Sequence, residues 1–538
     1  MEYTVSVLEK PEKITMMAKQ LDLTENSYAR GGELNNPALL AILYSSSCFQ
    51  HDTAARIMHS FYSGPVPTNE EVSMMQRFLM SRRTMLYSLV GMLMTAMMAL
   101  YGCGGSGSTG SGNYTDPAAQ AKVTTTVTKS GNALVTAEEL KAWIDEGKVN
   151  TAFGSYDRVV ILDITSNAAD GTNVYTTTGH IPGAQLISAG ANAFLDNSRA
   201  EGPLNITGNM VCTGKTIDAL IQAAGIDGNT TIVLTSSTNT INLGRAYTTL
   251  RYWGFPKNRI KVLQGGNAAW TAAGYTFTKA VPAIAPSTYC VAPSATVTRV
   301  NTEMRVSLTE MISYVKSIVA GNPQNVVILD TIRPATQVTA TTDLIDSGYT
   351  VMEGAIKGSY RFPYSGVVTS GLNFKDAATL QADISAGTAY DNTVMGDAKR
   401  NAAKTFIVQC RAGNAASVAY FVLDGIAYYN SNVDIKWYDG SYGQWNLLVS
   451  KDKTGVSGVN AGGQLAVGSI WDTTSLMDNL TYTVDITPAR SVVKYSSRVY
   501  SVEPSFAEGD QLEAADRAYR SPVTSSTGGG GAASGGGC

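Results

Sequence analysis

Residues 404–425 read KTFIVQCRAGNAASVAYFVLDG. An apolar run suited to a buried strand ends at Cys410, small residues follow, and a helical pattern begins near Ala416. Gly413 lets the chain curl, including through φ > 0. A curled loop from Arg411 through Ala412, Gly413 and Asn414 to Ala415 would turn its N–H groups inward as an anion-binding nest. The N-terminus of the following helix adds the positive end of its dipole. Both effects favour thiolate over thiol, and Arg411 adds a positive charge if it points inward. A thiolate held in this way is a nucleophile that needs no proton-relay histidine.

Histidine is scarce: His51, His59 and His180 are the three in the chain. That argues against a Ser-His-Asp hydrolase or a His-ligated zinc enzyme. No CxxCH, GxxxxGK[ST] or strand-following GxGxxG occurs, so neither covalent haem nor nucleotide binding has support, and no cofactor or metal is expected. A net charge of −3 is too near neutral to point to nucleic acid. The six cysteines, at 48, 103, 212, 290, 410 and 538, are scattered and contain no CxxC pair, which fits neither a disulfide scaffold nor a zinc ribbon. A disulfide between Cys212 and Cys290 and two free buried thiols are both open.

MSRRTMLYSLVGMLMTAMMALYGCGG, from Met80, has the layout of a secretory signal: two arginines, an apolar run over 85–101, then Leu100-Tyr101-Gly102-Cys103. The ending resembles a bacterial lipobox, although Tyr101 departs from the usual small residue. It implies lipidation at Cys103 and, with Gly104 next, an outer-membrane lipoprotein facing the periplasm or the cell surface. A single membrane-spanning helix is the alternative. Residues 1–79 then read as a misassigned or disordered leader. Glu70-Glu71-Val72 can be encoded by a ribosome-binding site, with Met74 and Met75 following. Residues 104–132 are a flexible tether rich in Gly and Ser.

The rest shows one pattern twice. The first copy runs LVTAEELKAWIDEGK, RVVILDIT, GHIPGAQLI, TIVLTSS, NLGRAYTTLRYWGF and RIKVLQGGNAAWTAAG. The second runs RVSLTEMISYVKSIVAG, NVVILDTIRP, GAIKGSYRFPY, TFIVQC, SVAYFVLDGIAYYN and VDIKWYDGSYGQWNLL. Thr136 with Glu139, and Ser307 with Glu310, have capping-box spacing. Strands alternating with helices predict an α/β fold: two domains, each a parallel sheet flanked by helices. The domains are placed at 133–280 and 304–450, joined by a linker at 281–303. A C-terminal extension occupies 451–520 and a Gly-rich tail occupies 521–538.

GHIPGAQLI, LQGGNAAW, WYDGSYGQW and above all CRAGNAAS resemble, in order, the signatures of the tandem rhodanese family of sulfurtransferases, over residues 133–450. The resemblance implies a non-catalytic first domain, which has TSSTNTINLGRA and no thiol at the equivalent place, and a catalytic second domain. There Cys410 would carry sulfur as a persulfide from a small anionic donor, thiosulfate or polysulfide, to a thiol or other nucleophile. Arg411, Arg333 and Arg361 are the candidates to bind the donor, in that order, with Lys357 and Lys436 behind them.

Several features depart from the family pattern. Asp330 and Arg333 stand three apart rather than two, Ala355 replaces a histidine, and CRAG lacks the lysine of the C-R-K-G loops. A long polar insertion fills 366–403. Cys538, at the end of a glycine arm, is a candidate accessory thiol for Cys410. Two other readings stand beside sulfur transfer: an accessory or scaffold lipoprotein of an outer-membrane electron-transfer complex, and an oxyanion site of the related cysteine-phosphatase type. The short loop speaks against the second.

Overall fold

The pentapeptide VVILD occurs twice, at Val159–Asp163 and Val326–Asp330, and both times it forms a fully buried central strand. A continuous apolar run of this kind suits a parallel sheet covered on both faces. The computed structural model describes residues 131–332, 354–448, 469–478 and 504–522, the single positions 295, 298 and 324 apart. All of them lie in one unit, Ser108–Cys538.

In the first half the elements are β1 (Leu134–Val135), α1 (Ala137–Asp145), β2 (Val159–Asp163), β3 (Ala184–Leu186), α2 (Gly214–Ala223), β4 (Thr231–Thr235), α3 (Thr240–Tyr252), β5 (Ile260–Leu263) and α4 (Gly266–Ala272). The sheet runs β1-β5-β4-β2-β3, every pair parallel. In the second half they are α5 (Leu308–Val319), β6 (Val326–Asp330), β7 (Ser359–Arg361), α6 (Ala377–Ala386), α7 (Gly396–Ala402), β8 (Thr405–Gln409), α8 (Asn414–Val422), β9 (Asp434–Trp437) and α9 (Ser441–Trp445). That sheet runs β7-β6-β8-β9, again all parallel. A single parallel bridge, Arg305 to Trp437, stands where β1 pairs with β5 in the first sheet.

The capping boxes form at both predicted places: Thr136 with Glu139 before α1 and Ser307 with Glu310 before α5. Helices α3 and α8 pack face to face, and one apolar core runs through both halves, with Leu250, Val418 and Phe421 among its members. Gly244 makes the approach close, since a Cβ there would lie 2.6 Å from Val418 Cα.

Several expectations change. Helix α8 starts at Asn414 rather than near Ala416, because Gly413 in the left-handed region turns the chain directly into the helix. Residues 366–403 are structured: an antiparallel hairpin (Val368–Ser370 with Asn373–Phe374), then α6 and α7. The hairpin grips the first half where Phe374 exchanges hydrogen bonds with the Gln264 side chain, at 2.8 and 3.0 Å. The stretch read as the linker is packed, with Cys290, Val291 and Ala292 buried. Cys212 is a free buried thiol whereas Cys290 is disulfide-bonded, so the two are neither joined to each other nor both free.

The C-terminal extension contributes Met477–Asp478, paired antiparallel with Ala355–Ile356. It also contributes α10 (Gln511–Ala518), whose Asp516 meets Arg199 of the first half at 2.7 Å. Among the described residues no helix is long and apolar enough to cross a membrane. The leader, the signal-like run with Cys103, Arg333 and Cys538 lie outside the described residues.

Candidate functional site

Cys410 follows the last residue of β8 and is 2% exposed. Gly413, at φ +80°, ends the loop and caps α8. No other residue fits there, for the conformation is strained for L side chains and a Cβ would meet Asp439 O at 2.5 Å. The loop is held from beneath by residues 437–443. Trp437 Nε1 donates to Gly413 O at 3.1 Å, Tyr442 N to Cys410 O at 3.1 Å, and Gly443 N to Arg411 O at 2.7 Å. Ser441 Oγ accepts the N–H groups of Cys410 and Gly413, both at 3.1 Å, donates to Tyr438 O at 2.8 Å, and lies 3.9 Å from Cys410 Sγ.

The expected ring of amides is therefore only partial, because the amide of Gly413 is spent on Ser441. Those of Ala412, Asn414 and Ala415 have no protein acceptor among the described residues, and they are what the loop can offer an anion. Arg411 is half-buried at the loop's start. Lys436 is engaged elsewhere, its Nζ donating to Glu303 O at 2.5 Å.

A buried charge cluster lies next to the loop. Arg305 pairs with Asp439 (2.8 Å), Glu201 (2.8 Å) and Glu513. Burial opposes the charge on Arg305, but these three carboxylates outweigh it and hold the guanidinium well above its ordinary range. Burial pushes the Glu513 carboxyl up to about 8 against the pull of Arg305. Asp439 Oδ2 also accepts the N–H of Val211, which ties the loop's support to the first half.

Arg245 enters from α3 of the first half. It is fully buried, donates to Asn209 O and Met210 O, and stacks 4.6 Å over Trp437. Burial pushes it down to about 10, while Asp439, Cys212 and Cys410 pull the other way. The arginine is thus within electrostatic reach of the loop thiol. Burial pushes the Cys212 thiol up to about 12, which leaves it protonated and inert.

Arg361, at the end of β7, is 1% exposed. It stands in register with Asp330, which in turn stands in register with Gln409. The structure thus brings Cys410, Arg411, Ala412, Gly413, Asn414 and Ala415 together as one loop and puts Arg361 on the same edge of the sheet. Sequence reasoning missed Ser441, Asp439, Arg245 and Gln409. The first two were visible inside WYDGSYGQW, but Arg245 had no local signal beyond being an arginine on an otherwise buried helix.

Residues 136–273 match the family model of the rhodanese-like domain. Among relatives, the sulfur carrier protein TtuD of Thermus thermophilus is 26% identical over 275 residues, 51% of this chain and 84% of that protein. A Saccharopolyspora erythraea protein, provisionally named a thiosulfate sulfurtransferase, is 25% identical over 272 residues, 50% of this chain and 83% of that one. Among solved structures, the 3-mercaptopyruvate sulfurtransferase SseA of Escherichia coli is 21% identical, with a TM-score of 0.41 over 58% of this chain and 98% of its own.

Proposed function

We propose that this chain is a sulfurtransferase with Cys410 as its sulfur carrier. One observation supports it above the others: a cysteine at a strand-to-helix junction whose curled loop leaves the amides of Ala412, Asn414 and Ala415 for a negative charge. The Cys410 thiolate attacks the outer sulfur of thiosulfate, the S–S bond breaks, and sulfite leaves with the electron pair. The persulfide formed carries one negative charge, for which the loop amides and the N-terminus of α8 are suited. An acceptor nucleophile then takes the outer sulfur and restores the thiolate. Polysulfide serves as donor by the same displacement, and a thiol is the natural acceptor.

In this reading the two halves, 133–280 and 304–450, are two copies of one domain, and the first keeps the architecture without the thiol. The repeated VVILD strand and the corresponding strand orders support that. Export with a lipid on Cys103, an outer-membrane location and Cys538 as a second thiol belong to the same proposal and rest on sequence alone.

The direct test is thiocyanate formation from thiosulfate and cyanide by the full chain and by Cys410→Ser. The unmodified chain is expected to turn over, and the serine variant to fall to background, a loss of at least 1000-fold. Equal rates in the two would remove Cys410 from the chemistry.

A further inference from the structure

Three buried arginines, Arg199, Arg251 and Arg305, each meet a carboxylate, at 2.7, 3.0 and 2.8 Å. Arg245 is 0% exposed and has no such partner among the described residues. Its hydrogen bonds go to neutral main-chain oxygens: Nη2 donates to Asn209 O at 2.8 Å and to Met210 O at 2.7 Å, and Nε donates to Phe194 O at 3.4 Å. Nη1 has no partner among the described residues. A buried charge without a counter-charge is costly, so it calls for an explanation.

The charged and titratable groups that act on Arg245 are Asp439, Cys212, Cys410 and Arg305. Arg305 carries the same sign. Asp439 is committed elsewhere, with Oδ1 on Arg305 and Oδ2 on the N–H of Val211, both satisfied at 2.8 and 2.9 Å. Cys212 stays protonated, because burial pushes its thiol up to about 12. Cys410 is the one left that can supply an anion. The guanidinium lies 4.6 Å over the Trp437 ring, and Trp437 Nε1 in turn donates to Gly413 O of the Cys410 loop. The cation therefore stands behind the ring that supports the loop, away from water, where opposite charges act over longer distances than they do in solvent.

The internal repeat shows that this arrangement is one-sided. Ser236 follows the end of β4 as Cys410 follows the end of β8. Gly244 and Arg245 stand eight and nine residues after Ser236, and Val418 and Ala419 stand eight and nine residues after Cys410. Gly244 packs directly on Val418, its own counterpart, so α3 and α8 cross at equivalent positions. The counterpart of Arg245 is then Ala419, which carries no charge. The half without the thiol contributes a cation at this crossing, and the half with the thiol contributes a methyl group.

We propose that Arg245, from the half without the thiol, is a positioning residue for the other half's chemistry: the buried counter-charge to the anionic sulfur of Cys410, as thiolate and as persulfide. The inference rests on the sulfur-transfer reading for the persulfide but not for the thiolate. It gives the first half a part in the reaction that needs no nucleophile of its own.

The test is alkylation of the full chain by iodoacetamide from about pH 5 to about pH 9, with Cys410 followed by peptide mass spectrometry. Arg245→Gln removes the charge and keeps an amide that can donate to the same oxygens. Arg245→Lys loses the guanidinium fork and keeps the charge on the acid side of the range. The pH of half-maximal rate is expected to rise by about one unit in Arg245→Gln, a loss of about tenfold in rate on the acid side that disappears in alkali. Arg245→Lys should move it by less than half as much. A residue that merely shaped the loop would move both variants alike and change the rate at every pH.

An unchanged half-maximal pH in Arg245→Gln, or equal shifts in the two variants, overturns the inference. Should Arg245→Gln fail to fold, Arg245→Met, uncharged and of similar length, takes its place. Thiocyanate formation from thiosulfate and cyanide separates the two readings. If the glutamine shift is found while the unmodified chain forms no thiocyanate, the counter-charge stands and the sulfurtransferase reading falls. Turnover by the unmodified chain with no dependence of the alkylation profile on the charge at 245 shows the reverse.

Discussion

Ser441 Oγ accepts two buried N–H groups, from Cys410 and Gly413, while its own backbone sits at φ +54°. The hydroxyl fixes the loop, and the left-handed backbone costs about 1–2 kcal/mol that a glycine would not. Two substitutions separate the effects. Ser441→Ala keeps the strain and strands two donors, with an expected loss of about 2 kcal/mol or more. Ser441→Gly strands the same donors but relieves the strain, so it should cost less by about 0.5–1 kcal/mol. Urea denaturation of the two variants measures the difference, and thiocyanate formation should fall in both. At this scale the local features were legible: a cysteine, then a glycine three residues on, announced a strand ending in a curled loop. Ser441 was not, although its motif was noticed, because its role is set by a contact across 31 residues of chain. Arg361 was legible as a cation but not as a buried one.

The packing of α3 on α8 positions the loop as an element, since α8 begins one residue after Gly413. Gly244 of α3 meets Val418 backbone, with a virtual Cβ 2.6 Å from its Cα and 2.7 Å from its N. In an ordinary helix interior, Gly→Ala stabilises by about 1 kcal/mol. Here Gly244→Ala is expected to destabilise by about 1–3 kcal/mol, because backbone must move, and to shift α8 and the loop with it. The midpoint of urea unfolding checks the sign, and the rate of Cys410 alkylation by iodoacetamide checks the displacement. Strands and helices with strong periodicity were readable: the VVILD runs, both capping boxes, α3 and α5. The stretch 366–403 was read only as a polar insertion. Its hairpin is fixed by the first half, through Gln264 and through Gly265 N donating to Leu372 O at 3.0 Å, and local composition carries no trace of that partner.

At the scale of the whole molecule, α10 clasps the two halves. Asp516 takes Arg199 and the Tyr252 hydroxyl of the first half, while Glu513 joins Arg305 and through it Glu201 and Asp439. Three carboxylates share one guanidinium, and among the described residues Glu513 Oε2 has no partner, so charge on Glu513 is the least compensated. Its pKa is raised to about 8 from an ordinary 4.5. Between those values the folded chain holds a proton that the unfolded chain has released, so stability falls as pH rises through the window. The slope is at most about 1.4 kcal/mol per pH unit, and the loss between pH 5 and pH 8 is on the order of 2–4 kcal/mol. Glu513→Gln imitates the protonated acid. It should match the parent near pH 5, exceed it at pH 8, and flatten the dependence between. Urea unfolding of the full chain at closely spaced pH values tests this: an unchanged slope in Glu513→Gln would show that the clasp does not titrate there. Because the Asp439 backbone packs directly against Gly413 of the Cys410 loop while its side chain takes Arg305, a loosened clasp at high pH should raise the alkylation rate of Cys410 in the parent more than in the glutamine variant.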